Sequence, residues 1–293
     1  MKGIVGIIGL GIMGGAMARN LVAAGWQVMG TDPNPAVCAA LAADGVAIHP
    51  DVASLAAEAP VLLTSLPSPA AVHAVCAAIA ATGAPRRIVI EASTLAIADK
   101  LAAEAILSAA GHVALDCPIS GTGSQAITKD LVIYASGDTA AIESVRPLFA
   151  DFTRAVHDLG AFGNGSRMKY VANLLVAVHN VATAEAMVLG MKAGLDPKQV
   201  AALVISGAGT SRVFELRAPM MAANCYLPAT MKVGIWQKDM AVISAYATEL
   251  GVPTPLLNAT MPFYNAAMAM GHAADDTAAV CAVLESMAGV SRA

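Results

Sequence analysis

Three groups of residues in this chain of 293 have the types and spacing to do chemistry. The first is Gly9-Leu10-Gly11-Ile12-Met13-Gly14, which ends an apolar run at 4–10 and opens a helical stretch at about 12–24. In a strand–turn–helix setting each glycine has its own reason. Gly9 permits the tight turn, Gly11 lets a pyrophosphate meet bare backbone, and Gly14 lets helix and strand pack closely. The helix N-terminus adds N–H groups and a positive dipole end for the phosphate charge. Asp32 closes a second apolar run, 27–32, where a carboxylate can accept both hydroxyls of a ribose. The pattern predicts a dinucleotide site. A structural turn with a surface aspartate is the plainer alternative, and a flavin dinucleotide site begins in the same way.

The second group is Gly163-Asn164-Gly165-Ser166-Arg167-Met168-Lys169-Tyr170-Val171-Ala172-Asn173. Its glycines end the strand-rich half and launch a long helix. Lys169 and Asn173, four apart, share a face of it, with Asn180 on nearly the same line. A helix N-terminus disfavours a cation, and burial acts in the same direction, so a lysine here is suited to exchanging a proton near neutrality. A solvated lysine beside a capping asparagine has the same spacing. The third group, Asp116-Cys117-Pro118-Ile119-Ser120-Gly121-Thr122-Gly123, follows another apolar run. Small residues with free N–H groups at a strand's carboxyl end can form an anion-binding concavity, or simply a polar loop.

These residues need elements to hold them. Apolar runs at 4–10, 27–32, 61–66, 88–92, 113–118, 131–136 and, weakly, 155–159 read as strands. Helical spacing at 34–43, 69–81, 96–110 and 139–150 falls between them. Such alternation predicts right-handed crossovers and a mainly parallel, doubly wound sheet. After Gly165 the strands stop. A helix at 166–193 ends at Gly194, and further helices are expected near Pro197 and at about 235–250, 255–270 and 275–287. The expected plan is an α/β chain: a Rossmann domain over 1–162, then an all-α domain over 163–293 whose first part, 163–193, is the connecting helix.

Composition narrows the classes. Charged residues are 13% of the chain, about half the usual share, which raises a membrane reading. The uncharged N-terminal stretch 3–18 holds six glycines, however, and the stretch 171–184 is broken by Asn173, His179 and Asn180 and is too short to span. The surplus alanine is expected to fill helix packing and a subunit interface. With a net charge of −4 and no basic run, nucleic acid is not expected as a partner. Cys38, Cys76, Cys117, Cys225 and Cys281 are odd in number and widely spaced, which predicts buried thiols in a reducing compartment. Neither cysteines nor histidines have metal-ligand spacing, so no metal site is expected.

With these motifs in this order, followed by Lys238-Asp239, the whole chain resembles the β-hydroxyacid dehydrogenases. That family includes 3-hydroxyisobutyrate dehydrogenases and tartronate semialdehyde reductases. The resemblance implies hydride transfer between a nicotinamide cofactor and a small β-hydroxyacid or semialdehyde. It makes Lys169 the general acid/base, gives Asn173 the task of holding it and the substrate, and has Ser120, Gly121 and Thr122 cradle the substrate carboxylate. It brings Lys238 to substrate and cofactor in a cleft between the domains, and sets Leu66, Pro67 and Thr94 beside the cofactor with the Gly9–Gly14 loop and Asp32. The family usually has Ser-Gly-Gly in the substrate loop, whereas this chain has Ser120-Gly121-Thr122, so Thr122 is expected to influence substrate choice. NAD is expected in preference to NADP, because Asp32 would repel a 2′-phosphate and no Lys or Arg lies between Arg19 and Arg86. A cytoplasmic homodimer or homotetramer acting on a small carboxylate, without nucleic acid or membrane, completes the expectation. An imine reductase of the same fold and a non-catalytic nucleotide-binding protein are the alternatives. The retained Lys169 argues against the first and the intact loops against the second.

Overall fold

Short apolar runs closed by glycine or a capping side chain become the strands, and the alanine-rich segments between them become the helices. The computed structural model describes residues 2–292. The strands are β1 (Ile4–Ile8), β2 (Gln27–Thr31), β3 (Ala47–Ile48), β4 (Val61–Thr64), β5 (Ile88–Glu91), β6 (Val113–Asp116), β7 (Ile119–Ser120), β8 (Val132–Ala135) and β9 (Ala155–Asp158). Interleaved with them are α1 (Ile12–Ala23), α2 (Pro35–Ala43), α3 (Val52–Glu58), α4 (Pro69–Ala81), α5 (Ile97–Ala109), α6 (Gly123–Ile127) and α7 (Thr139–Ala150). Then come α8 (Asn164–Lys192), α9 (Pro197–Ile205), α10 (Arg212–Ala223), α11 (Val233–Glu249), α12 (Pro255–Ala269) and α13 (Val280–Ala288). Two compact units divide inside α8, the first running Met1–Lys169 and the second Tyr170–Ala293.

In the first unit, six strands pair in the order β3-β2-β1-β4-β5-β6, all parallel. The order reverses between β1 and β4, the switch point at which such sheets open a crevice at the carboxyl ends of their strands. Both faces of the sheet are covered. Val5 and Ile7 of β1 enter one buried cluster with Leu10, Met17 and Leu21, while Ile8 enters another with Leu55, Leu62 and Val72. Each such side chain, fully buried, contributes roughly 1.5–3 kcal/mol. The expected strands at 131–136 and 155–159 form but do not join this sheet. With the short β7 they make a separate sheet, β7-β8-β9, in which β7 runs antiparallel to β8. A single bridge, Asp116 to Ser136, links the end of β6 to the end of β8.

The second unit is helical. Ala177, Val181, Ala184 and Met187 of α8 are buried, and so is Asn180, whose Nδ2 donates to Tyr264 Oη (3.0 Å) and to the Thr277 carbonyl (2.9 Å). By length and composition α8 is the one helix among the described residues that could cross a membrane; Ala177, Val181, Ala184 and Met187 serve this core, while Val171, Leu175 and Leu189 are exposed. The segment expected as one helix over 275–287 is a single 3₁₀ turn, Thr277–Ala279, that runs directly into α13, and α10 was not expected. The cysteines also depart in part from expectation: Cys76, Cys117 and Cys281 are buried free thiols, but Cys225 is exposed and Cys38 half-buried.

Candidate active site

The Gly9–Gly14 loop follows β1 and leads into α1. Gly9 has φ +88°, and a Cβ there would lie 2.3 Å from the Ser65 carbonyl oxygen. A Cβ on Gly14 would lie 1.9 Å from the Gly9 carbonyl oxygen, so only glycine lets α1 start this close to the strand. Around Gly11, in contrast, a Cβ would meet nothing within 4 Å. The N-terminus of α1 has no side-chain cap. Open space beside uncapped N–H groups at a helix N-terminus fits a pyrophosphate. Leu10 is buried, Met13 packs against the core and Ile12 is exposed.

Asp32, one residue past β2, is tied to this loop. Its Oδ2 accepts from the Leu10 amide and its Oδ1 from the Asn34 amide, both at 2.8 Å. Each carboxylate oxygen keeps a second lone pair for a ribose hydroxyl. Leu66 and Pro67 follow β4 and Thr94 follows β5. The Leu66 amide donates to Ser93 Oγ (2.9 Å), which ties these two loops together. The expected cofactor residues therefore come from the carboxyl ends of β2, β1, β4 and β5, which are neighbours in the sheet.

The loop after β6 reaches the same edge. Gly121 has φ +137°, and Gly123 packs so tightly that a Cβ on it would lie 2.5 Å from Cγ2 of Ile12 in the glycine loop. That contact gives a physical reason for glycine at 123. Ser120, Gly121 and Thr122 are half-buried. Thr122 is the N-cap of α6 in a reciprocal capping box with Gln125. Its hydroxyl, on which substrate choice could have rested, is thus already engaged inside the loop.

Lys169 is 8% exposed, and the start of its helix is pinned to strand ends. The Gly165 amide donates to Ser136 Oγ (2.9 Å), the Ser166 amide to Asp116 Oδ2 (2.8 Å), and Ser166 Oγ to Asp116 Oδ1 (2.8 Å). Carboxylate and hydroxyl thereby satisfy N–H groups that a helix start leaves open. These bonds draw the beginning of α8 into the first unit, which is why the units divide later than the sequence predicts. Asn173, one turn beyond Lys169, is buried in the second unit, where its Nδ2 donates to Asp239 Oδ2 (3.1 Å). Lys238 Nζ stands 3.6 Å from Asp239 Oδ1. Lys238, Asp239 and Asn173 therefore form one cluster.

The sequence reading did not single out Ser93, Ser136, Ser166 or Asp239. Asp116, Ser166 and Asp239 lie inside the motifs read from the sequence, which was the available signal, but their partners come from distant elements. No group of three or more potential metal ligands occurs among the described residues.

Comparison with known proteins adds the class. Residues 4–160 match the NAD binding domain of 6-phosphogluconate dehydrogenase. Residues 163–284 match the domain described as NAD-binding of NADP-dependent 3-hydroxyisobutyrate dehydrogenase. An L-threonate dehydrogenase of Cupriavidus necator is 32% identical over 94% of both chains. Among solved structures, a 3-hydroxyisobutyrate dehydrogenase from Salmonella typhimurium is 31% identical with a TM-score of 0.87, covering 96% of this chain and 99% of its own. A Mycobacterium tuberculosis 3-hydroxyisobutyrate dehydrogenase described with L-serine is 29% identical with a TM-score of 0.86, covering 97% and 99%. The chain belongs to the β-hydroxyacid dehydrogenase family. It is an NAD(P)-dependent oxidoreductase of the hydroxyacid dehydrogenase kind, and its relatives act on small carboxylates.

Proposed function

We propose that this enzyme transfers a hydride reversibly between nicotinamide and the carbon β to a small hydroxyacid's carboxylate, with Lys169 as general acid and base. One observation carries the reading. The residues after β1, β2, β4 and β5 meet at the sheet's carboxyl edge, and α8 is pinned to the end of β6 three residues before Lys169. When bound, the cofactor supplies or accepts the hydride. In oxidation the neutral amine of Lys169 takes the alcohol proton, and in reduction its ammonium protonates the developing alkoxide. Asn173, oriented by Asp239, holds Lys169 and the substrate. Ser120 and the backbone at Gly121 and Thr122 hold the substrate carboxylate, and Lys238 adds a cation for carboxylate or phosphate. With its hydroxyl engaged in the α6 cap, Thr122 acts on substrate choice through its methyl.

NAD is the preferred cofactor in this proposal. Asp32 would face a 2′-phosphate with like charge, and no Lys or Arg between Arg19 and Arg86 offsets it. Such a juxtaposition costs several kcal/mol, about a hundredfold in preference. The five free cysteines suit a cytoplasmic enzyme, and exposed Leu189, Leu203 and Leu256 suit a homodimer or homotetramer.

A panel of small 3-hydroxyacids with NAD and with NADP, followed at the reduced-nicotinamide band, tests the reading. Lys169→Ala should lower kcat by about 10²–10⁴ on the best substrate while cofactor binding persists. A variant with near-wild-type kcat would remove Lys169 from the chemistry. An equal or higher kcat/KM with NADP would remove Asp32 from the ribose.

A further inference from the structure

Beneath the sheet's carboxyl edge lies an ion cluster that the proposed reaction does not use. Lys100, in the second turn of α5, is fully buried, as are Glu91 at the end of β5 and Asp116 at the end of β6. The Lys100 ammonium bonds Glu91 Oε2 and the Glu91 carbonyl oxygen (3.3 Å), and lies 3.0 Å from Asp116 Oδ1. All three of its protons are thereby engaged. Burial alone would pull the lysine below its ordinary pKa, but the two carboxylates outweigh it and hold the ammonium charged. One cation against two anions leaves a net charge of −1 in the interior. The N-terminal dipole of α8 and three O–H or N–H donors around Asp116 offset it.

The outward-facing bonds of this cluster lead to opposite sides of the site. Glu91 Oε1 accepts from the Ser93 amide (2.9 Å), and Ser93 Oγ accepts from the Leu66 amide (2.9 Å), on the cofactor side. Asp116 accepts the amide and hydroxyl of Ser166 at the start of the helix that carries Lys169. Lys100 is the side-chain bond between the two arms, added to the backbone pairing of β5 and β6 at Glu91 and Asp116. Three apolar side chains would fill the same volume at no cost in desolvated charge, so burial alone does not account for three ions. We infer that Lys100 is a positioning residue, clamping Glu91 to Asp116 so that the cofactor loops after β4 and β5 and the lysine-bearing start of α8 keep one fixed spacing.

The inference rests on Lys169 as the acid/base group, and the test separates the two. Lys100→Met alone would strand two buried carboxylates. The informative variant is Glu91→Gln/Lys100→Met, which keeps the net charge at −1 and keeps an acceptor for Ser93, so that only the clamp is lost. Its kcat should fall about tenfold to a hundredfold at a temperature well below its melting transition, the scale expected for misplacement of about 1 Å. The primary deuterium isotope effect on kcat should rise, as hydride transfer becomes more fully rate-limiting. A role in stability alone would lower Tm and leave kcat and isotope effect unchanged, which would overturn the inference. Should that variant not fold, Ser166→Ala and Ser93→Ala read the arms separately. The first should lower kcat at constant cofactor Kd and the second should raise cofactor Kd. Wild-type constants in both overturn the clamp. Lys169→Ala run beside them isolates the premise: full activity there defeats the acid/base reading, whereas lost activity there with an unaffected double variant defeats only the clamp.

Discussion

Gly165→Ala puts the anchoring of α8 to a quantitative test, because its sign separates two accounts. On helix propensity alone, alanine should stabilise a helical position by about 1 kcal/mol over glycine. The structure reverses the expectation. The new Cβ would lie 2.2 Å from the Tyr134 carbonyl oxygen and 2.7 Å from that of Asp116, and both are backbone atoms near strand ends that cannot swing aside. Restoring an ordinary 3.4 Å contact takes about 1.2 Å of movement at the start of α8. A shift of that size carries the Gly165–Ser136 and Ser166–Asp116 bonds, now 2.9 and 2.8 Å, out to roughly 4 Å, beyond hydrogen-bonding range. Two buried bonds, one of them to a carboxylate, cost about 1–3 kcal/mol each. After the propensity gain, the net loss is about 3 kcal/mol, or roughly 6–12 °C in Tm for a unit of this size. The same displacement reaches Lys169 one turn later and should lower kcat about a hundredfold. Differential scanning calorimetry and steady-state kinetics on one preparation give both numbers. A Tm at or above wild type refutes the packing argument; a lowered Tm with unchanged kcat refutes the link to Lys169.

Three further outcomes are expected. Thr122→Ser keeps the capping hydroxyl and loses only the methyl, so Tm should stay within about 1 °C. The kcat/KM ratio between hydroxyacids of different bulk should move about fourfold, the worth of one buried methyl, and an unchanged ranking removes Thr122 from the substrate site. The buried Arg87 side chain donates to the Ala56 and Ala57 carbonyl oxygens (2.9 and 2.7 Å) at the end of α3. Arg87→Met should cost about 3 kcal/mol in urea unfolding, and a loss below about 0.5 contradicts a cap made of charge-assisted bonds. Among the thiols, burial pushes Cys76 and Cys281 up to about 12 while Cys225 is exposed. Iodoacetamide at pH 8 should label Cys225 first, and peptide mass spectrometry showing faster labelling of Cys76 or Cys281 would contradict the packing described.

Where structure is made by neighbours in sequence, it was readable. The helices Pro69–Ala81 and Thr139–Ala150 fall where they were expected, because a capping Ser68 with Pro69 and a capping Asp138 announce their starts. The glycine loop was readable for the same reason: strand, turn and helix are contiguous. The two-residue strands β3 and β7 were not, since so short a run has no periodicity of its own and exists through its partner. Nor was α10, whose interior Pro219 reads as a break. The same distinction holds in the site. Lys169 and Asn173 share one helix face and could be paired by counting. The Glu91–Lys100–Asp116 cluster joins two strand ends and a helix, and nothing in the spacing of those residues marks them as neighbours.

The double attachment of Asp32 bears on how this scaffold can be redesigned. Its carboxylate is the acceptor for the amide of Leu10, a buried residue inside the glycine loop. Replacing it with arginine to welcome a phosphorylated cofactor does more than change the sign of a charge. It removes the acceptor that fixes the turn and leaves a donor without one, at roughly 1–3 kcal/mol. Under the proposed ribose-binding role of Asp32, cofactor selectivity and loop shape share one side chain, and a designer who wants to alter the first must supply the second from elsewhere. Serine at 32, with a hydroxyl to receive the Leu10 amide, paired with a basic residue grafted into 33–35, is the starting point this wiring favours.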